Sequence, residues 1–172
     1  MDLIDCPGYP VWLEPMEWTK GASTDQLHLI SNQPAARLHS QLDNGSESKG
    51  SKINDREVCN IHATTAKNMG LKDGDIVQLY NSRGSCLSAL RIKEGMRQDC
   101  IVLPTGAWLD LKDISAGRID VHGNPNVLTI DTGASRLTQA NISHTALVKV
   151  CKWTDPLPDI SVFNPPKIVE SN

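Results

Sequence analysis

The sequence is poor in aromatic residues and has only a small excess of negative charge. Phe, Trp and Tyr together make up 4% of the 172 residues, and the formal net charge is −3 at neutral pH. A nucleic-acid-binding domain usually carries a strongly basic face, so this charge balance argues against that class of protein. No apolar run reaches the roughly eighteen residues that a transmembrane helix needs, and we therefore expect no membrane partner.

Motifs of the common catalytic and metal-binding sites are also missing. The five cysteines are scattered and form no CxxC pair, which argues against a structural zinc site. There is no G-x-S-x-G nucleophile elbow, no HExxH motif, no P-loop and no GxGxxG motif. We therefore expect neither catalytic residues nor metal ligands in this chain. Scattered thiols and an acidic N-terminus without a signal peptide favour the reducing cytoplasm.

Prolines and glycines divide the chain into three predicted parts. Residues 1–26 contain three prolines and two glycines, and are predicted to form an N-terminal arm. Residues 27–153 hold the regular apolar patterns and are predicted to form one domain. Residues 154–172 are predicted to be a tail that lies on the surface or is disordered. Within the domain, the polar residues 43–52 predict a loop that is mobile unless a partner orders it.

Alternating apolar residues predict short strands with little helix. Residues 27–31, 99–104 and 144–150 each favour a strand, and residues 75–92 favour a β-hairpin whose turn falls at Asn81–Gly84. Residues 62–70 favour a short helix, with His62 as a capping or packing group at its start. This pattern is typical of a small β-barrel.

Three clusters of polar side chains lie between these elements. The first, residues 31–41, directly follows a predicted strand; the second is "VHGNPNVLT", residues 121–129, which has no formal charge; the third is residues 131–144. Each alone could be an ordinary polar loop, since Gly-Asn-Pro-Asn is good turn chemistry. Three clusters rich in amide, imidazole and arginine groups in one small barrel instead favour a shared site. Such groups suit a polar heterocycle that carries a phosphate.

Several long segments resemble the C-terminal domain of the DMSO reductase family of molybdenum enzymes. They are most similar to the branch that holds biotin sulfoxide reductase and trimethylamine N-oxide reductase. The segments lie in the family's order within residues 6–153 and read "LHLISNQPAARLHSQLD", "GLKDGDIVQLYNSRGSCLSALRI", "GAWLD" and "VHGNPNVLTIDTGASRLTQANISHTALVKV". The resemblance implies a mainly β fold with short helices, a double-psi β-barrel. The third cluster departs from the family pattern at Ala134, Thr138 and Ala140.

The resemblance also implies a cofactor, molybdopterin guanine dinucleotide, which holds the molybdenum itself. Amide groups are then expected to bind the pterin and guanine edges, and arginines to lie near the diphosphate. Arg37, His39, Asn126 and Gln139 are expected on an open polar face. The contacts expected from the matching motifs are Ser31, Asn32, Gln33, Arg37, His39, Ser40, Gln41, His122, Asn124, Asn126, Ser135, Arg136 and Gln139.

The function implied by the resemblance is that of a cofactor-capping domain. Its parent would be an S-oxide or N-oxide oxidoreductase, cytoplasmic, or periplasmic if the parent chain carries a signal peptide. The remaining domains of that enzyme are the expected partners, and this chain alone is not expected to turn over substrate. A standalone dinucleotide-binding or interaction module without redox activity remains the alternative.

Overall fold

The computed structural model describes residues 3–114, 117–166 and 168. Within these residues the chain forms eight strands, two short α-helices and two 3₁₀ turns. In chain order they are η1 (Thr19–Gly21), β1 (Leu27–Ile30), α1 (Ser46–Ser51), β2 (Val58–His62), α2 (Ala63–Asn68), β3 (Ile76–Tyr80), β4 (Ser85–Lys93), β5 (Cys100–Val102), β6 (Leu111–Ile114), β7 (Gly117–Asp120), η2 (Pro125–Val127) and β8 (Ala146–Lys152).

Six of the strands close into a barrel. Their order is β2, β5, β1, β8, β3 and β4, and the pairing of β4 with β2 completes the ring. The pairs β1–β5 and β2–β4 are parallel, whereas the other pairs around the ring are antiparallel. The β6–β7 hairpin extends the sheet from β4. The predicted double-psi β-barrel, mainly β with short helices, is confirmed.

Strand β4 is buried on both faces because it separates two apolar clusters. Side chains alternate between the faces of a strand, and Cys86 and Leu90 accordingly join the larger cluster with Leu29 and Ile61. Leu87 and Ala89 point the other way, into a smaller cluster that includes Ile119. The barrel and the β6–β7 hairpin are therefore packed together through one shared strand.

The local predictions agree with most of these elements. The hairpin has its turn at Asn81–Gly84, where the Asn81 amide donates to the Gly84 carbonyl at 3.0 Å. His62 caps α2, since its Nδ1 accepts from the Thr64 amide at 3.0 Å. Strands β2, β6 and β7 are not predicted by the apolar pattern. They cover Val58–His62, Leu111–Ile114 and Gly117–Asp120.

The prediction of a mobile loop at residues 43–52 is wrong. Helix α1 lies within this segment, and the side chains of Asp43, Ser48 and Lys52 are almost completely excluded from solvent. The segment has no large apolar side chain that could pack against the barrel, and polar side chains hold it in place instead. The segment is held by ion pairs and hydrogen bonds that the composition does not reveal.

The two ends of the chain differ in how they contact the barrel. In the arm, the Glu17 carboxylate accepts from the Leu147 amide at 2.6 Å and from Arg83 at 2.9 Å. Tyr9 and Trp12 nevertheless remain 70% and 72% exposed. In the tail, Ile160 lies against the smaller apolar cluster, whereas Ile168 is 94% exposed. The division at residues 26 and 153 stays a prediction. The longest described α-helices have six residues, too few to cross a membrane.

Candidate functional site

Two adjoining grooves bring the three polar clusters together at one end of the barrel. The smaller, of about 290 Å³, is lined by Ser31, Gln33, His39, Thr105, Asn126, Thr129, Asn141, Ser143 and His144. The larger, of about 690 Å³, is lined by Asn126, Thr129, Ile130, Asp131, Thr132, Gly133, Gln139, Ala140, Asn141 and Ser143. Four residues line both grooves, so the two volumes form one continuous surface. Its wall consists mainly of amide and hydroxyl groups.

The second cluster is folded around the buried carboxylate of Asp120. Its Oδ2 accepts from the amides of Gly123 and Asn124, both at 2.7 Å. The Oδ1 of Asn124 then accepts from the Asn126 amide at 2.9 Å and caps η2. Gly123 is required here, because its φ is +95° and a Cβ would lie 2.7 Å from the Cβ of Glu57. These bonds present Asn126 to both grooves.

The first cluster is held against the loop that follows β5. The Ser31 hydroxyl donates to the Leu103 carbonyl at 3.0 Å, and the Thr105 amide donates to the Asn32 carbonyl at 2.9 Å. Gly106 lies directly under His39: a Cβ at this position would be 1.8 Å from the His39 carbonyl oxygen. Only glycine permits this approach, which sets the position of His39 in the smaller groove.

A cluster of buried charges lies behind this segment and is called the buried ion cluster below. It consists of Arg37, Asp43, Lys52 and Glu57. The Arg37 guanidinium lies 2.7 Å from Glu57, and the Lys52 ammonium lies 2.9 Å from Asp43 and 3.0 Å from Glu57. All four side chains are at most 5% exposed. Two cations and two anions balance, which makes the burial of these charges tolerable.

Burial and hydrogen bonds shift the pKa values of Asp43, a member of the buried ion cluster, and of the nearby His122. Burial acts to raise the pKa of Asp43, but the Trp108 amide and the Lys52 ammonium outweigh it and hold that pKa below its ordinary value. Burial lowers the pKa of His122, although its bond to Trp108 and the nearby Asp43 act in the opposite direction. The His122 Nδ1 donates to the Trp108 carbonyl at 2.8 Å. His122 is therefore a neutral imidazole at neutral pH.

Two of the expected cofactor contacts, Arg37 and His122, lie outside both grooves, and their contact with a cofactor stays a prediction. The side chains of Arg37 and His122 are fully buried, so neither can line the grooves. The expectation that Arg37 lies on an open polar face is wrong, because its guanidinium is occupied by Glu57, Ser48 and the Thr105 carbonyl. The sequence pattern identifies a polar residue but not the carboxylates that surround it in the fold.

The remaining expected contacts separate into two groups. Ser31, Gln33, His39, Asn126 and Gln139 line the grooves. The others, which lie outside the grooves, are Asn32, Ser40, Gln41, Asn124, Ser135 and Arg136.

Those outside the grooves have local partners or remain at the surface. Asn32 lines a separate cleft with Pro34 and Asn60. The Ser40 carbonyl accepts from the Trp108 indole at 2.7 Å. Ser135 bonds Thr138 within a turn. Gln41 and Arg136 are exposed, so they remain accessible to a ligand from the surface.

Several groove residues are absent from the expected set. Asn141 and His144 belong to the third polar cluster, so the sequence signals their polarity although the matching motifs do not select them. Thr129 ends the second cluster. Ser143 also lies in the third cluster. Thr105 lies outside all three clusters and carries no such signal, because a single hydroxyl residue near a strand end is commonplace. Among the described residues, no three His, Cys, Asp or Glu side chains are arranged to hold a metal ion.

A β-barrel with a groove lined mainly by amide and hydroxyl side chains at one end is suited to bind a polar ligand. Residues 27–147 match the family model described as the molydopterin dinucleotide binding domain. The chain belongs to this family.

Full-length relatives place the match in larger proteins. The chain is 40% identical over 146 residues to a biotin sulfoxide reductase of Cereibacter sphaeroides, covering 85% of this chain and 19% of that protein. It is 35% identical over 172 residues to a dimethyl sulfoxide/trimethylamine N-oxide reductase of Rhodobacter capsulatus, covering 99% of this chain and 21% of that protein. The chain thus spans about a fifth of the length of these relatives.

A solved structure supports the fold independently. Acetylene hydratase from Pelobacter acetylenicus superimposes with a TM-score of 0.67 at 18% identity, over 85% of this chain and 22% of that chain. At this identity the similarity establishes the shared architecture alone.

Proposed function

We propose that this chain forms one wall of a molybdopterin guanine dinucleotide site in a larger S-oxide or N-oxide oxidoreductase. The observation that carries the proposal is the meeting of three separate polar clusters in one groove. Membership of the dinucleotide-binding family and the names of the relatives support it. The remaining domains of the parent enzyme would complete the site and supply the catalytic residues. The free cysteines support a cytoplasmic location.

The chemistry of the groove fits the neutral parts of this cofactor. Side-chain amides donate and accept hydrogen bonds at once, and the edge of a guanine or a pterin offers both kinds of partner. Asn126, Gln139 and Asn141 supply such amides in the larger groove. In the bound cofactor, the metal would carry the redox chemistry, whereas this chain would orient the heterocycle. The groove residues therefore act by positioning, and none is assigned a catalytic role.

Guanine should be preferred to adenine because the amide wall can match it in both directions. Adenine would leave at least one amide group without a partner, at a cost of about 1–3 kcal/mol. Affinity for the nucleotide alone should be modest, because the other wall of the site belongs to the parent enzyme. The difference in affinity between the guanine and the adenine nucleotide, rather than the affinity for either one, therefore tests base recognition.

Calorimetric titration of the 172-residue chain with GDP and with ADP tests the proposal. The wild-type chain should bind GDP more tightly, and Asn126→Leu should remove most of the difference. Asn68→Leu is the matched control, because Asn68 is an exposed amide on α2 that does not line the grooves. Equal affinity of the wild-type chain for both nucleotides would refute base recognition by this wall.

A further inference from the structure

We propose that the C-terminal segment 158–163, called the strap below, positions the groove from behind. The proposal rests on the proposed function, because it concerns the segment that carries His39 into the groove. The strap is fixed to the domain through Asp110, whose carboxylate is 5% exposed. The Asp110 Oδ2 accepts from the amides of Ser161 and Val162 at 2.5 and 2.9 Å, and its Oδ1 accepts from the Ser161 hydroxyl at 2.9 Å.

Phe163, the single phenylalanine of the chain, ends the strap and packs on two ring systems. Its ring centroid lies 5.1 Å from that of His122 in an edge-to-face arrangement and 5.7 Å from that of Trp108. The Lys49 ammonium lies over the Phe163 ring, 4.5 Å from its centroid. Edge-to-face and tilted ring pairs and a cation over a ring face all stabilise such packing. Phe163 thus packs against both His122 and Trp108.

Trp108 transmits this contact to the groove. Its indole Nε1 donates to the Ser40 carbonyl at 2.7 Å, and its backbone amide donates to the Asp43 Oδ2 at 2.8 Å. Ser40 directly follows His39, whose carbonyl rests on Gly106. A continuous series of contacts therefore leads from Phe163 through Trp108 to the backbone of a groove residue. The hydrogen bonds of the strap go to Arg56, Asp110 and Lys112, none of which lines the grooves, so the strap acts through the position of that backbone.

Loss of the strap should loosen residues 38–43 without opening the barrel. In Phe163→Ala, we expect faster hydrogen exchange at the amides of 38–43 and 105–110, and unchanged exchange in β3 and β8. Affinity for GDP should fall by about three- to tenfold, because a loosened segment must be ordered again on binding. Phe163→Tyr should retain both properties. Tyr9→Ala, which removes an exposed aromatic ring in the arm, is the matched control and should change neither.

The exchange measurement separates this inference from the proposed function. Faster exchange in Phe163→Ala together with no GDP binding by the wild-type chain would support the strap and refute the proposed function. Unchanged exchange and unchanged GDP affinity in Phe163→Ala would refute the strap. If Phe163→Ala fails to fold, Asp110→Asn decides the question, because it weakens the fixing of Ser161 and leaves Phe163 in place. It should accelerate exchange at the same amides, and protection equal to that of the wild-type chain would overturn the inference.

Discussion

The Lys52 ammonium lies 2.9 Å from the Asp43 carboxylate, and both side chains are excluded from solvent. This pair belongs to the buried ion cluster that anchors the segment after β1. The segment carries Ser31, Gln33 and His39 into the grooves. The anchoring of a binding surface by buried charges has consequences for stability, for acid sensitivity and for ligand binding, and each can be measured.

Arg37→Ala should destabilise the fold rather than act only on a phosphate. Removal of the guanidinium leaves Glu57 buried beside only one remaining cation, and breaking a buried ion pair in this way costs about 3–5 kcal/mol. Chemical denaturation should show this loss in the free energy of unfolding. Arg91→Ala is the control, because Arg91 is exposed on β4. A change of less than 1 kcal/mol in Arg37→Ala would contradict the role given to the cluster.

The protein should lose stability as the pH falls below 6.5, the ordinary pKa of histidine. Burial lowers the pKa of folded His122, so between that pKa and 6.5 the unfolded chain binds more protons than the folded chain. Stability is therefore complete above 6.5 and declines below it. A second decline should follow at lower pH, when Asp43, whose folded pKa is depressed, becomes protonated.

Denaturation curves at several pH values test this order. In His122→Asn, whose amide can replace the Nδ1 donor, the decline between pH 6.5 and the second transition should largely disappear. His144→Asn, which changes an exposed histidine of the smaller groove, should still show this decline in stability. Identical pH profiles of stability for the wild-type chain and His122→Asn would show that His122 does not cause the decline below pH 6.5.

Gly106→Ala should disrupt the groove more than a surface glycine substitution does. Its φ of +92° is strained for any side chain, at a cost of about 1–3 kcal/mol, and the new Cβ would collide with the His39 carbonyl. We expect a lower melting temperature and loss of GDP binding. Gly95→Ala is the matched control, because no atom lies within 4 Å of a Cβ at that position. If Gly106→Ala binds GDP like the wild-type chain, the placement of His39 by Gly106 is wrong.

Arg136 is the predicted arginine whose side chain remains exposed, and we propose it as the contact for the diphosphate. Arg136→Gln should weaken binding of GDP by about 0.5–1 kcal/mol at low salt, as expected for an exposed ion pair, and leave guanosine unaffected. Arg91→Gln should affect neither ligand. Competition titrations at two salt concentrations measure the effect, and an equal loss for guanosine and GDP would show that Arg136 does not act through its charge on the phosphates.

The sequence is most informative where local rules decide the structure. The turn at Asn81–Gly84 and the cap at His62 follow from short-range chemistry, and both are predicted correctly. The prediction of a mobile loop at residues 43–52 fails for a different reason. Asp43 pairs with Arg37 and Lys52, and Lys52 also pairs with Glu57, and no local rule identifies these partners.

The same limit applies to the candidate site. The three polar clusters are visible in the sequence, and Asn126 and Gln139 do line the grooves. The sequence cannot separate these amides from Arg37 and His122, since all are polar residues in polar segments. Only the fold shows which side chains face the groove and which are enclosed behind it.

The central claim is that the meeting of the three clusters forms a binding surface for a guanine dinucleotide. Chemical-shift mapping of the isotope-labelled chain during titration with GDP tests it most directly. The claim predicts shifts concentrated at residues 31–39, 126–133 and 139–144, with smaller shifts under ADP and none at the exposed face of α2. Shifts confined to other residues, or no shifts at millimolar GDP, would contradict it.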